Sequence, residues 1–185
     1  MRKKVLYVIL FIMVIGFGYT LFYFNQYSIE DERASIEANL MEWHNKGNEK
    51  EIKFDILKVT QIDDTNSYIA LFETADKNIG YTHLLKGWNG KYKIEQSGWG
   101  TNIASYQDLK TNKGMYGILV GKNPDLQIDH IIAESAEENF SFTSTVSKDE
   151  TFLVYEKLPS DLKSTFLPNV TLYDEGQNII APLSE

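Results

Sequence analysis

Apolar residues follow three different patterns along this chain. From Val5 to Phe24 they are continuous, and VLYVILFIMVIGFGYTLFYF contains no charge. At about 1.5 Å per residue, such a helix crosses the roughly 30 Å hydrocarbon core of a bilayer. A transmembrane helix is therefore predicted over residues 5–24, with Gly16 and Gly18 tolerated because no water competes for the backbone in lipid. Beyond it, Ile29, Ile36, Leu40 and Trp43 recur at near-helical spacing and form one stripe. Ser28 is the expected N-cap, with Glu30, Asp31 and Glu32 in the first turn, and Gly47 is the expected C-cap. The stripe should pack on a sheet.

The pattern then changes to short β-rich runs divided by turn clusters. Four strands are expected at residues 54–62, 68–74, 80–88 and 91–97. The last two flank Asn89-Gly90, a pair suited to the positive φ of a type I′ hairpin turn. Residues 99–114 read as a connecting segment. A second set of strands follows at residues 116–120, 128–133, 140–146 and 151–156. Pro159 and Pro168 bracket a loop, and a last hairpin runs from 170–173 to 178–180 around Glu175-Gly176. The fold class is α+β: an N-terminal transmembrane helix, a helix packed on an antiparallel β-meander, then a small all-β sandwich-like half. The expected division is an anchor at 1–27, the helix and meander at 28–114, and the sandwich-like region at 115–185. The last two are also readable as one continuous domain.

Charge sets the orientation. Arg2, Lys3 and Lys4 are the only charged residues before Glu30, and they place the N-terminus in the cytoplasm. Removing them from 18 basic residues leaves 15 against 26 acidic ones, a remainder of −11. A domain this acidic is repelled by nucleic acid, which is excluded as a partner. The apolar run exceeds a signal peptide's 7–15-residue core and ends in Phe22, Tyr23 and Phe24 rather than small residues. It is expected to stay as an anchor, with the domain outside the cytoplasm. There is no cysteine, so disulfides, thiolate metal sites and lipoprotein anchoring are excluded.

Few residues offer chemistry. His44, His83 and His130 lie on different predicted elements without metal-ligand spacing, so no metal or cofactor is expected. Nucleotide-binding and G-x-S-x-G motifs are missing. Asp63-Asp64 and Asp174-x-Gly176 lack the ligand order of a calcium loop and read as turns, and Glu134, Glu137 and Glu138 read as a solvated cluster. The candidate binding site is the basic, aromatic stretch Lys86, Trp88, Lys91, Tyr92 and Lys93, joined by Trp99 and extended by Tyr106. It could stack a glycan or peptide and pair with an anionic wall polymer. Its alternative is a hairpin whose aromatic residues face inwards.

The basic start, the single helix, the Lys86–Tyr92 stretch, Gly117-Ile118-Leu119-Val120-Gly121-Lys122-Asn123-Pro124 and the Tyr173-Asp174-Glu175-Gly176 turn together make one arrangement. It resembles that of small, uncharacterised membrane-anchored extracytoplasmic proteins of Bacillus-type bacteria (Firmicutes). The resemblance implies a location at the cell membrane and carries over no catalytic residue. The expected function is a non-enzymatic binding or accessory module whose partner is a protein or a cell-wall polymer. The alternatives are a cell-surface hydrolase and a sensor acting through a membrane partner.

Overall fold

In the computed structural model, residues 2–47, 52–100, 103–135, 140–162, 165 and 169–183 are described. Helix α1 (Arg2–Gln26) contains the uncharged run. Within its stretch Lys3–Gln26, an 18-residue window has a mean hydropathy of 2.4 and none of that window is buried in the protein. Helix α2 (Arg33–Asn45) begins five residues after the expected cap. Ser28 does not cap it, because Ile29 instead makes an isolated antiparallel bridge with Tyr92 through two backbone hydrogen bonds of 3.1 and 2.7 Å. Gly47 takes the left-handed conformation (φ 85°) expected just past a helix end.

The meander is β1 (Phe54–Gln61), β2 (Ser67–Thr74), β3 (Ile79–Lys86) and β4 (Tyr92–Gly100), paired in sequence order. Both faces of β2 and β3 are buried. Ala70, Phe72 and Leu84 face α2 and join Ile36, Leu40, Phe54, Ile56 and Tyr92 in one core. Ile69, Leu71, Ile79 and Tyr81 face the other way, onto Leu109, Tyr116, Ile118 and Val120. Those partners belong to a middle sheet of β5 (Ala104–Thr111), β6 (Gly114–Lys122) and β9 (Thr151–Lys157), ordered β5-β6-β9. Strand β5 lies where a connecting segment was expected.

The middle sheet's far face supplies Ala104, Tyr106, Leu119 and Phe152 to a third core. Against it lies a sheet ordered β11-β10-β7-β8, built from β7 (His130–Glu134), β8 (Ser141–Thr145), β10 (Asn169–Tyr173) and β11 (Ile179–Leu183). The described residues beyond α1 thus form four layers, one helix and three sheets, with an apolar layer at each of three junctions. Of the loop bracketed by Pro159 and Pro168, the second proline lies outside the described residues, as do Glu137 and Glu138 of the acidic cluster.

Candidate functional site

The β3–β4 turn carries the candidate residues, and its geometry departs from a type I′ hairpin. Gly90 N–H donates to the Gly87 carbonyl at 3.0 Å, so Trp88 and Asn89 form the centre of the turn. Gly90 is left-handed (φ 80°) while Asn89 keeps a negative φ. Such a turn, followed by a left-handed glycine, is a common longer hairpin connection. It places Trp88 at the tip, 68% exposed, while Tyr92 enters the core at 1%.

The tip lies on the C-terminal end of α1. The Trp88 indole stacks on Tyr23, with ring centres 4.9 Å apart and planes 24° from parallel. Phe24 meets it edge-on at 5.2 Å. Trp88 N–H donates to the Tyr23 hydroxyl at 2.8 Å, and Asn89 Nδ2 donates to the Tyr27 carbonyl at 2.9 Å. Gly87 is required at this contact, because a Cβ there would sit 2.5 Å from the Tyr23 hydroxyl and 2.7 Å from the Tyr27 ring.

The three lysines are paired with carboxylates. Lys86 Nζ is 2.7 Å from Asp31, Lys91 Nζ is 2.5 Å from Glu30 and Lys93 Nζ is 2.7 Å from Glu95. Donation from Lys86 holds the Asp31 carboxyl below the usual range. Burial, with the Asp31 carboxylate beside it, pushes the Tyr92 phenol up to about 12. Lys86 also lies 5.1 Å over the Tyr92 ring and Lys93 lies 5.6 Å over Tyr27.

Trp99 stands apart from this cluster. Though 39% exposed, it packs among His44, Phe54 and Phe72 on the α2 face. Tyr106 is buried in the sandwich core, and its hydroxyl donates to the Thr165 carbonyl at 2.6 Å. It adds nothing to a stacking surface with Trp99.

Sequence reasoning missed a groove of about 540 Å³ beside the C-terminal end of α1, lined by Gln26, Ser28, Asn39, Trp43, Lys46 and Lys93 among others. Trp43 was expected to face the sheet, yet it is 51% exposed. A second cleft of about 330 Å³ lies between the edge strands β4 and β5, with Tyr81, Gln96, Ser105 and Gln107 on its walls. The residue signal for the groove was Asn39 and Trp43 on one helix, with Lys46 just past its end. Its other wall comes from β4 and could not be read from sequence.

One side-chain contact resembles a nucleophile–base pair: Ser97 Oγ lies 2.8 Å from His44 Nε2. Ser97 Oγ also lies 2.8 Å from Thr82 Oγ1 and donates to the Tyr81 carbonyl at 3.1 Å. This chain ties α2 to the meander, and burial holds the His44 imidazole below its usual range. Among the described residues, no group of three or more histidines and carboxylates is placed to hold a metal ion. Asp174 is engaged as a turn acceptor, taking the Asn178 backbone N–H at 2.8 Å. Comparison with family models, curated proteins and solved structures finds no match for the chain.

Proposed function

We propose that the chain is a single-pass membrane protein whose folded part, outside the cytoplasm, is a non-enzymatic binding or accessory module. The observation that carries this reading is the interlock of the Trp88 turn with Tyr23, Phe24 and Tyr27. A leader destined for removal has no need of a seat on the mature domain, whereas a permanent anchor gains a fixed attitude from one. The three basic residues before the apolar run support a cytoplasmic N-terminus. The groove beside the helix exit is the proposed ligand site, with Trp43 as its stacking face and Asn39, Lys46 and Gln26 as its polar contacts. The proposed ligand is a surface protein or a cell-wall polymer.

External protease on intact protoplasts should cleave exposed loops of residues 25–185, and complete protection would reverse the orientation. A photo-crosslinker at position 43 in intact cells should capture a protein or wall fragment. Capture of neither would remove the groove as the ligand site. The hydrolase reading draws on Ser97 and His44, but it requires the serine to give up its bond to the Tyr81 carbonyl.

A further inference from the structure

The position of Trp88 along the axis of α1 raises the question of what covers its exposed face. The apolar run begins at Val5, and Phe24 lies about 28 Å further along the helix, close to the thickness of a hydrocarbon core. Tyr23 and Phe24 therefore mark the outer boundary of any bilayer that α1 crosses. Trp88 is in ring contact with both, so it lies at that same depth. Trp88 remains 68% exposed in the protein, at a level where indole rings are favoured.

The turn is suited to that environment. Its polar groups are largely satisfied without water. Gly87 N–H bonds to the Lys91 carbonyl at 2.8 Å, Gly90 N–H to the Gly87 carbonyl, and Trp88 N–H to the Tyr23 hydroxyl. Asn89 spends its side-chain amide on Tyr27 and its side-chain oxygen on the Lys91 N–H. A turn with its backbone paired in this way approaches a bilayer at low desolvation cost. Lys86, Lys91 and Lys93 stand behind it, each beside a carboxylate, so the turn brings no net positive charge. The partner that fits is therefore a zwitterionic lipid surface met by an indole, rather than an anionic one met by lysines.

We propose that the Trp88 turn is a second membrane contact, seating its indole at the headgroup–acyl boundary of the bilayer that α1 crosses. This rests on the reading of α1 as a membrane anchor. A single helix leaves a domain free to rotate about the helix axis and to tilt. The interlock with Tyr23 and Tyr27 fixes the domain's rotation about α1, and a second lipid contact beside the helix limits the tilt, setting the groove near Gln26 at a constant height above the lipid.

The test uses the full chain in phosphatidylcholine vesicles. The chain has three tryptophans, and a Trp43→Phe, Trp99→Phe variant leaves Trp88 as the sole indole. Vesicles carrying bromine on the acyl chains near the headgroup should remove about half of its emission, as expected of an interfacial indole. Bromine near the chain ends should remove much less. If the double variant misfolds, the difference between the natural chain and Trp88→Phe supplies the same signal. Flotation of the protein with the vesicles tests the anchor separately. A protein that floats, but whose Trp88 is untouched by bromine and quenched by aqueous iodide, overturns the second contact and leaves the anchor standing. A protein that does not float overturns both.

Discussion

Trp88 and Tyr92 occupy opposite environments four residues apart, and their alanine substitutions should diverge sharply. Tyr92 is 1% exposed and packs within the core beneath α2, edge-on to Tyr68 at 5.1 Å. Truncating an aromatic side chain in such a core costs about 3–5 kcal/mol, from lost burial and the cavity left behind. The Asp31 carboxylate would also lose its Tyr92 hydroxyl partner, and the Lys86 ammonium the ring it lies over. For a domain of this size, 1 kcal/mol moves the melting temperature by roughly 2–4 °C, so Tyr92→Ala should lower it by roughly 6–20 °C. Trp88→Ala removes a stack against α1 and no core volume, so its effect should stay within about 0.5 kcal/mol of unfolding stability. Thermal unfolding of the full chain in detergent, followed by circular dichroism in the β region, separates the two. Equal losses from both variants would refute the placement of Trp88 outside the core.

Three further outcomes follow from the packing. Gly121→Ala should destabilise the chain by about 3 kcal/mol, because a Cβ would lie 2.2 Å from the Ile103 carbonyl oxygen and 2.7 Å from Phe152; denaturant midpoints measure this. Stability should fall between pH 7 and pH 5. Burial holds the imidazoles of His83 and His44 below their usual range, so below about pH 6.5 the unfolded chain binds protons that the folded chain refuses. His83→Gln should flatten part of that slope in unfolding curves taken at several pH values. Ser97→Ala should cost about 1 kcal/mol in unfolding experiments through the lost hydrogen bonds, and an unchanged stability would deny Ser97 its structural role.

The meander was legible because its strands are bounded by turn residues and each pairs with its neighbour in sequence. Strand β5 was not. It sends Ala104 and Tyr106 into one core and Leu109 into the other, so the alternation of residues 104–107 breaks at Asp108-Leu109. A strand of a middle layer serves two cores, and its periodicity cancels. The start of α2 misled for another reason: the residues after Ser28 are used by distant partners, Ile29 by Tyr92, Glu30 by Lys91 and Asp31 by Lys86. The lysine cluster could be seen in the sequence, but the carboxylates that pair with two of its members lie some fifty-five to sixty residues upstream. Trp43 followed the helical stripe numerically, yet α2 buries only Ile36 and Leu40 fully.

The middle sheet imposes an order on folding. The four meander strands can pair as they are synthesised, each with the one before it. Strand β6 must wait for β9, which arrives only after the excursion holding β7 and β8. Pairings of such sequence separation form slowly, because loop closure precedes any gain from contact. Until β5 and β6 arrive, Ile69, Leu71, Ile79 and Tyr81 present a bare apolar face to whatever receives the emerging chain. A chain cut before Thr151 would leave one edge of β6 unpaired and Leu119 without Phe152 and Val154 over it. Such a fragment is a substrate for aggregation or for the proteases that clear unfinished proteins.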